Sequence, residues 1–231
     1  MPCFSVISIM NSKNNNNRLL IAFDMDGTLI DGRVVFAVAD RFKLSDKVRE
    51  IQRNRTLYGY EQSRNIARLF TGISADDITK AIESISLMKN CEKVVRELKE
   101  QGHVLGIISD SYDIAANYIA EKLNFDFCEA NMLELDGNRK LTGNINMPLG
   151  WQKIGCYCNI SVCKRYFLEK NAQRFQIGSG CTVAIGDTKS DLCMIEKAEI
   201  GIAFMPKHRI LEERANFSIK EPDFANLRQF I

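Results

Sequence analysis

The sequence predicts an α/β fold: a doubly wound, mostly parallel sheet with a small helical cap inserted after the first strand. Three observations predict it. Continuous apolar runs at residues 19–23, 103–109 and 181–185 have the composition of strands buried on both faces, and each runs out into polar residues. Segments with helical spacing lie between these runs, and strands that alternate with helices fold into a parallel sheet. Residues 34–89 carry helical periodicity with no strand pattern, so they interrupt the α/β rhythm as an insert.

In chain order, residues 1–17 read as a loose leader, because the run Asn14, Asn15, Asn16, Asn17 has no apolar area to bury. The first strand, LLIAF, runs directly into Asp24, Met25, Asp26, Gly27 and Thr28. In the insert, apolar residues recur three and four apart: Val34, Val35, Val38 and Phe42; Ile66, Leu69, Phe70 and Ile73; Ile78, Ile82 and Ile85. Ser74 ahead of Asp76 and Asp77 marks a capped helix start. Residues 92–101 form a helix stopped by Gly102, and 103–109 the second strand. A helix follows at 114–123. Alternation over 127–145 around Asp136, Gly137 and Asn138 signals a hairpin, and a further helix is expected at 162–169. The third strand, 181–185, leads to Gly186 and Asp187, then a helix near 191–198, a strand at 200–204 and a short helix–strand–helix tail. The core is thus residues 18–33 and 90–231, and the cap 34–89.

Composition narrows the functional class. With 231 residues, 45% apolar and 26% charged, the chain is ordinary for a globular protein. A net charge of +2 without a long basic run argues against nucleic acid or an anionic membrane as partner. No apolar run approaches the ~20 residues that a membrane helix needs. Eight scattered cysteines and no recognisable signal peptide point to reduced thiols in a cytoplasmic protein. A monomer or homodimer is expected, a choice the sequence does not fix.

The polar strand ends carry the chemistry. Parallel strands bring such ends together at one edge of the sheet, where α/β proteins bind ligands. That edge would collect Asp24 and Asp26, then Ser109, then Asp187 with Asp191, joined by Lys164 from the start of a helix. Alone, each has a plain structural use as a cap, a turn residue or a solvated charge. Together they offer carboxylates to a cation, and a hydroxyl and an ammonium to an anion. Hard oxygen ligands in an incomplete cage suit Mg²⁺ shared with phosphate oxygens, so a small-molecule phosphate ester fits both halves.

These residues resemble the haloacid dehalogenase superfamily of phosphatases, and within it the phosphoserine-phosphatase branch. The family's motifs occur in order: DxDGT at Asp24, Asp26 and Thr28; a strand-closing Ser at Ser109 in GIISDS; a Lys at Lys164 in SVCKRYFLEK; and GDxxxD at Asp187 and Asp191. The resemblance covers about residues 18–231, including EANMLELDGNRKLTGNI and TVAIGDTKSDLCMIEKAEIGIAF. It implies a Rossmann-like core and a Mg²⁺-dependent phosphomonoesterase. In that reading Asp24 is the nucleophile that becomes an aspartyl phosphate, and Asp26 is the general acid and base. Ser109, with its neighbour Asp110, and Lys164 bind the phosphoryl group. Asp24, the Asp26 carbonyl and Asp187 hold the metal, with Asp191 behind them.

The chain departs from that branch where the substrate is selected. The branch's Glu for the substrate ammonium falls at Arg33, its cap Arg for the substrate carboxylate falls at Ala67, and Asp110 and Ser111 replace glycines. Arg33 suits an acidic or polyhydroxy substrate better than an amino group. Arg64 or Arg68 is a substitute for the cap Arg, and Tyr58, Tyr60 and Arg64 are candidate substrate readers. A small phosphorylated metabolite other than phosphoserine is therefore expected. Phosphoserine phosphatase proper, a phosphotransferase using the same aspartyl phosphate, and a non-catalytic phosphate sensor are the alternatives. Cys156, Cys158 and Cys163 invite a zinc reading, but no fourth ligand is evident, since His103 and His208 are remote in sequence; packed free thiols are the expectation. Trp151 is read as an apolar anchor near the hairpin.

Overall fold

The computed structural model describes residues 18–231; the leader expected at 1–17 lies outside the described residues. Seven strands form one sheet in the order β4-β3-β2-β1-β5-β6-β7. They are β1 (Leu20–Phe23), β2 (Val104–Tyr112), β3 (Phe127–Leu135), β4 (Leu141–Asn146), β5 (Thr182–Gly186), β6 (Ile200–Phe204) and β7 (Phe217–Ile219). All neighbours pair in parallel except β3 with β4, the expected hairpin. β1 is central, with Phe23 opposite Ile107 on one side and Ile185 on the other.

The continuous apolar runs follow from burial on both faces. Ile21, Phe23, Leu105, Ile107, Val183 and Ile185 pack into one hydrophobic cluster. Leu20, Ala22, Val104, Ile108 and Ala184 pack into a second one. Successive side chains on a strand alternate between faces, so both sets must be apolar.

Between β1 and β2 the chain forms α1 (Val34–Arg41), α2 (Ser45–Arg53), α3 (Gly59–Leu69), α4 (Ala75–Glu83) and α5 (Cys91–Glu100). Ser74 caps α4 as its spacing implies, its hydroxyl accepting the Asp77 N–H at 3.1 Å. The chain enters and leaves the helical block side by side: Met88 N–H donates to Leu29 C=O and Asp31 N–H to Ser86 C=O, both at 2.9 Å. The block is also fastened to the β3–β4 hairpin. Gly72 N–H donates to Leu141 C=O and Leu141 N–H to Ile73 C=O, both at 2.8 Å. Val38, Ile66, Phe70, Ile78 and Ile82 join the cluster that contains Phe23.

The second half supplies α6 (Asp113–Lys122), α7 (Trp151–Ile154), α8 (Lys164–Arg174), α9 (Leu192–Ile195) and α10 (Arg209–Arg214). Three boundaries differ from expectation. β2 continues past Ser109 to Tyr112, with an irregular register against β3 between Ile108 and Tyr112. α8 begins at Lys164 rather than at residue 162, because residues 161–163 are bridged to Leu149; Cys163 N–H donates to Leu149 C=O at 2.7 Å. α9 is shorter than expected and is entered through a 3₁₀ turn, Lys189–Asp191, that closes the loop after β5. Trp151 opens α7 and packs on a cysteine cluster, its ring 6.1 Å from that of Tyr60.

Candidate active site

The carboxyl ends of β1 and β5 lie side by side, and their register brings Asp24 and Asp187 to the same edge of the sheet. Asp24 N–H donates to Ile185 C=O at 2.9 Å, which extends the ladder by one residue and fixes the Asp24 backbone. The chain then turns tightly: the N–H groups of Thr28, Leu29 and Ile30 all point at Met25 C=O. Gly27 makes the turn possible, with φ +85°, and a Cβ there would drive into the Asp187 carboxylate. The turn places Asp26 over the start of α1, where its Oδ1 accepts the Val34 N–H at 2.7 Å. Burial pushes the Asp26 carboxyl up to about 6, against the pull of that N–H.

Behind these acids lies a buried ion network. Lys164 Nζ donates to Asp24 Oδ1 at 2.5 Å and to Asp191 Oδ1. Asp191 Oδ2 accepts the N–H groups of Thr188 at 2.8 Å and Asp187 at 3.1 Å, so this carboxylate positions both the lysine and the loop after β5. Burial opposes the Lys164 charge, but Asp191 and Asp24 outweigh it and hold its pKa well above the ordinary value. Burial raises the Asp24 pKa well above the carboxylate range; Lys164 counters this, and Asp191, Asp187 and Asp110 add to it. Asp187 is raised in the same way, by burial and by Asp191.

Oxygens of Asp24, Asp187 and Asp191 lie within 4.8 Å of one another, and both Asp187 oxygens are buried without a hydrogen-bond partner. Two orphaned anionic oxygens on a buried group are costly unless something positive meets them. A hard cation would satisfy them and relieve the repulsion among the three acids, so the donor set fits a metal of the Mg²⁺ type.

These groups open onto a cleft of about 950 Å³ between the sheet edge and the helical block. Asp24, Asp26, Arg33, Asp110 and Asp187 line it. Lys164 and Asp191 are fully buried behind it. Ser109 is also buried, and its Oγ accepts the Ser111 N–H at 3.2 Å. The Ser111 hydroxyl lines the cleft and is buried without a hydrogen-bond partner. Arg64 is not brought to the site: it is exposed on α3, its guanidinium 5.9 Å from the Tyr60 ring, while Gly59, Gln62, Ser63 and Ile66 of that helix line the cleft. Ala67 is buried. Beside Arg33 and Lys189, the cationic lining comes instead from Arg49, Arg53 and Arg55, which carry no motif and were missed. For Arg49 and Arg53 the only signal is the arginine content of a helix whose one buried residue is Val48; Arg55 follows that helix in a turn.

Comparison with known proteins agrees with this geometry. Residues 21–196 match the family model described as haloacid dehalogenase-like hydrolase. A phosphoserine phosphatase of Methanocaldococcus jannaschii is 32% identical over 216 residues, covering 92% of this chain and 97% of that protein. One from Archaeoglobus fulgidus is 29% identical over 92% of this chain, which there spans 60% of the relative's length. A solved structure described as a phospho-aspartyl intermediate analogue of phosphoserine phosphatase superimposes with a TM-score of 0.80 at 30% identity. It covers 93% of this chain and 99% of that one. A substrate-bound phosphoserine phosphatase complex gives the same score and identity, covering 98% of its own chain. The chain belongs to the haloacid dehalogenase-like hydrolases and is a phosphatase of their phosphoserine-phosphatase-like branch.

Proposed function

We propose that this chain is a Mg²⁺-dependent phosphomonoesterase that acts on a small, further acidic phosphorylated metabolite through an aspartyl phosphate on Asp24. The observation that carries the reading is the pair of orphaned Asp187 oxygens beside an Asp24 already paired with a buried lysine.

Asp24, Asp187 and the Asp26 carbonyl would hold the metal, with Asp191 behind them. Bound there, Mg²⁺ supplies the positive charge that lets an anionic nucleophile meet an anionic phosphoryl group. Lys164 fixes the rotamer of Asp24 through its ion pair and leaves the other carboxylate oxygen for attack. A bond forms from Asp24 to phosphorus as the ester P–O bond breaks. Asp26 gives the departing oxygen a proton; its pKa near 6 lets it hold that proton and release it. Asp26 then takes a proton from the water that attacks phosphorus, which frees phosphate and restores Asp24. The Ser109 hydroxyl accepts from a backbone N–H, so its proton remains to donate to the phosphoryl oxygens.

Arg33, Arg49, Arg53 and Arg55 surround the path to phosphorus. Guanidinium groups bind carboxylates and phosphates bidentately and repel an ammonium. The substrate therefore carries a carboxylate, a second phosphate or hydroxyls beyond its scissile phosphate. The named relatives favour a second reading, phosphoserine itself.

The test is turnover of p-nitrophenyl phosphate, then of a panel of phosphorylated metabolites, by purified protein with Mg²⁺. Release that stops with chelator and in Asp24→Asn is expected. Activity that survives Asp24→Asn rejects this site as the catalyst. Phosphoserine, whose ammonium offsets its carboxylate, outrunning every ester that lacks an ammonium by a wide margin rejects the substrate class while leaving the mechanism standing. Ester formation on added alcohols identifies a phosphotransferase, and binding of phosphate esters without turnover identifies a sensor.

A further inference from the structure

We propose that Cys156, Cys158, Cys163 and Cys193 form a four-thiolate site for one structural Zn²⁺, which fastens the elements carrying Lys164 and Asp191. The fourth ligand that sequence spacing lacks is Cys193. The fold delivers it from α9, and all four Sγ atoms lie within 4.8 Å of one another.

The geometry suits zinc. Four sulfurs about 2.3 Å from a tetrahedral Zn²⁺ lie roughly 3.8 Å apart, so a small inward adjustment completes the cage. An iron–sulfur cubane would hold its cysteine sulfurs on a larger tetrahedron. The thiols come from three separate places: the turn after α7 for Cys156 and Cys158, the N-cap of α8 for Cys163, and α9 for Cys193. None is in a disulfide. Cys156, Cys163 and Cys193 are buried, while Cys158 is half-buried and offers a way in.

Without a cation only one sulfur is set up to ionise. Hydrogen bonding to Cys158, with burial, holds the Cys163 and Cys193 thiols above their ordinary pKa, against the Tyr166 and Arg165 backbone amides, so a bound cation would draw their protons off. Arg165, paired first with Glu169 at 3.1 Å, also feels the charges of Cys156 and Cys163. Cys163 sits at the positive end of an eleven-residue helix. Hydrogen bonds from Cys163 and Cys193, helped by the Ile160 N–H, hold the Cys158 thiol well below its ordinary pKa despite its partial burial. On binding, four Zn–S bonds form and the sulfurs still protonated release their protons to water, with no change of oxidation state. Divalent iron would bind the same cage more weakly.

The placement gives the site a purpose. Cys163 immediately precedes Lys164, and Cys193 follows Asp191 by two residues. A metal here would clamp α8 to α9 directly behind the Lys164–Asp191 pair, a positioning role for the active site rather than a catalytic one.

The test is metal analysis of full-length protein purified anaerobically without chelator. One equivalent of zinc is expected, retained in Asp187→Asn and lost in Cys193→Ser and Cys158→Ser. Cys158 is half-exposed, so its serine variant keeps the fold readable if Cys193→Ser does not. After zinc removal, Co²⁺ should give sulfur-to-cobalt charge transfer and the intense visible bands of a tetrahedral tetrathiolate. Protein that contains no zinc and gives no such spectrum overturns the proposal. So does a disulfide among the four cysteines in the anaerobic preparation, a brown iron-containing chromophore, or zinc that persists in both cysteine variants.

Discussion

Lys164 Nζ and Asp24 Oδ1 are 2.5 Å apart, and the lysine side chain has no exposed surface. An ammonium this deep is tolerable because Asp24 and Asp191 together outweigh the loss of its hydration. The network is thus a structural commitment, and in the proposed mechanism it also orients the nucleophile.

Lys164→Met should separate the two roles. It leaves Asp24 and Asp191 buried without their cation, and breaking a buried pair costs about 3–5 kcal/mol. Urea unfolding should show that loss, and added Mg²⁺ should recover part of it by re-supplying positive charge beside Asp24. Turnover should fall at least ~100-fold, as when one preorganised donor is removed from an active site. Unchanged stability in the variant would mean that the carboxylates protonate at no cost and that the ion pair has been misread.

Gly27→Ala tests how the turn and the proposed metal site depend on each other. The substitution meets both a positive φ and the Asp187 carboxylate. Backbone strain of about 1–3 kcal/mol is expected, with a larger effect on the Mg²⁺ concentration needed for half-maximal rate than on thermal stability. A variant with wild-type Mg²⁺ dependence would show that Asp187 has room to move aside.

Much of this site was legible because the sheet forces it. Six strands, including β1, β2 and β5, are parallel, so acids just past the apolar runs of β1 and β5 share one edge whatever the loops do. Asp24, Asp26, Asp187 and Asp191 could be placed from that rule and from the motifs. The cap was legible as helices but not as a surface. Helical periodicity tells which side of α2 is buried, and says nothing about which neighbour its arginines face. Arg64 was expected at the substrate as a stand-in one helical turn from the family's cap Arg position, yet α3 presents Gln62 and Ser63 to the cleft and leaves Arg64 over Tyr60. Cys193 was invisible as a partner of Cys163 because long-range proximity leaves no local pattern in the chain.

Arg33→Glu tests the substrate class. Reversing this charge beside Asp26 and Asp187 should lower kcat/KM for esters with an extra carboxylate or phosphate and no ammonium by roughly 10-fold or more, the effect of about 1.4 kcal/mol. Phosphoserine, with its ammonium, should be spared or improved, and the ratio of the two is the quantity to measure. Parallel losses on both substrates would place Arg33 at the phosphate instead. Arg53→Ala should lower only the acidic esters, chiefly through KM.

Histidine protonation should weaken the fold below neutrality. His103 Nδ1 accepts the Leu19 N–H at 3.2 Å at the start of the central strand, and burial lowers its pKa. The unfolded chain then binds a proton near pH 6.5 while the folded chain resists it. As pH falls through 6.5 the unfolded state gains that proton first, so this contribution to stability is lost toward acid and is complete above neutrality. Asp24, Asp26 and Asp187 act in the opposite sense, because their raised folded pKa values let the native state hold protons that the unfolded state has released. The His103 effect is therefore read as a difference. His103→Asn keeps an acceptor near the Leu19 N–H but does not titrate. Urea unfolding from pH 5 to 8 should show the wild type losing stability relative to this variant only below about 6.5. A difference that stays constant across that range would assign no titrating role to His103.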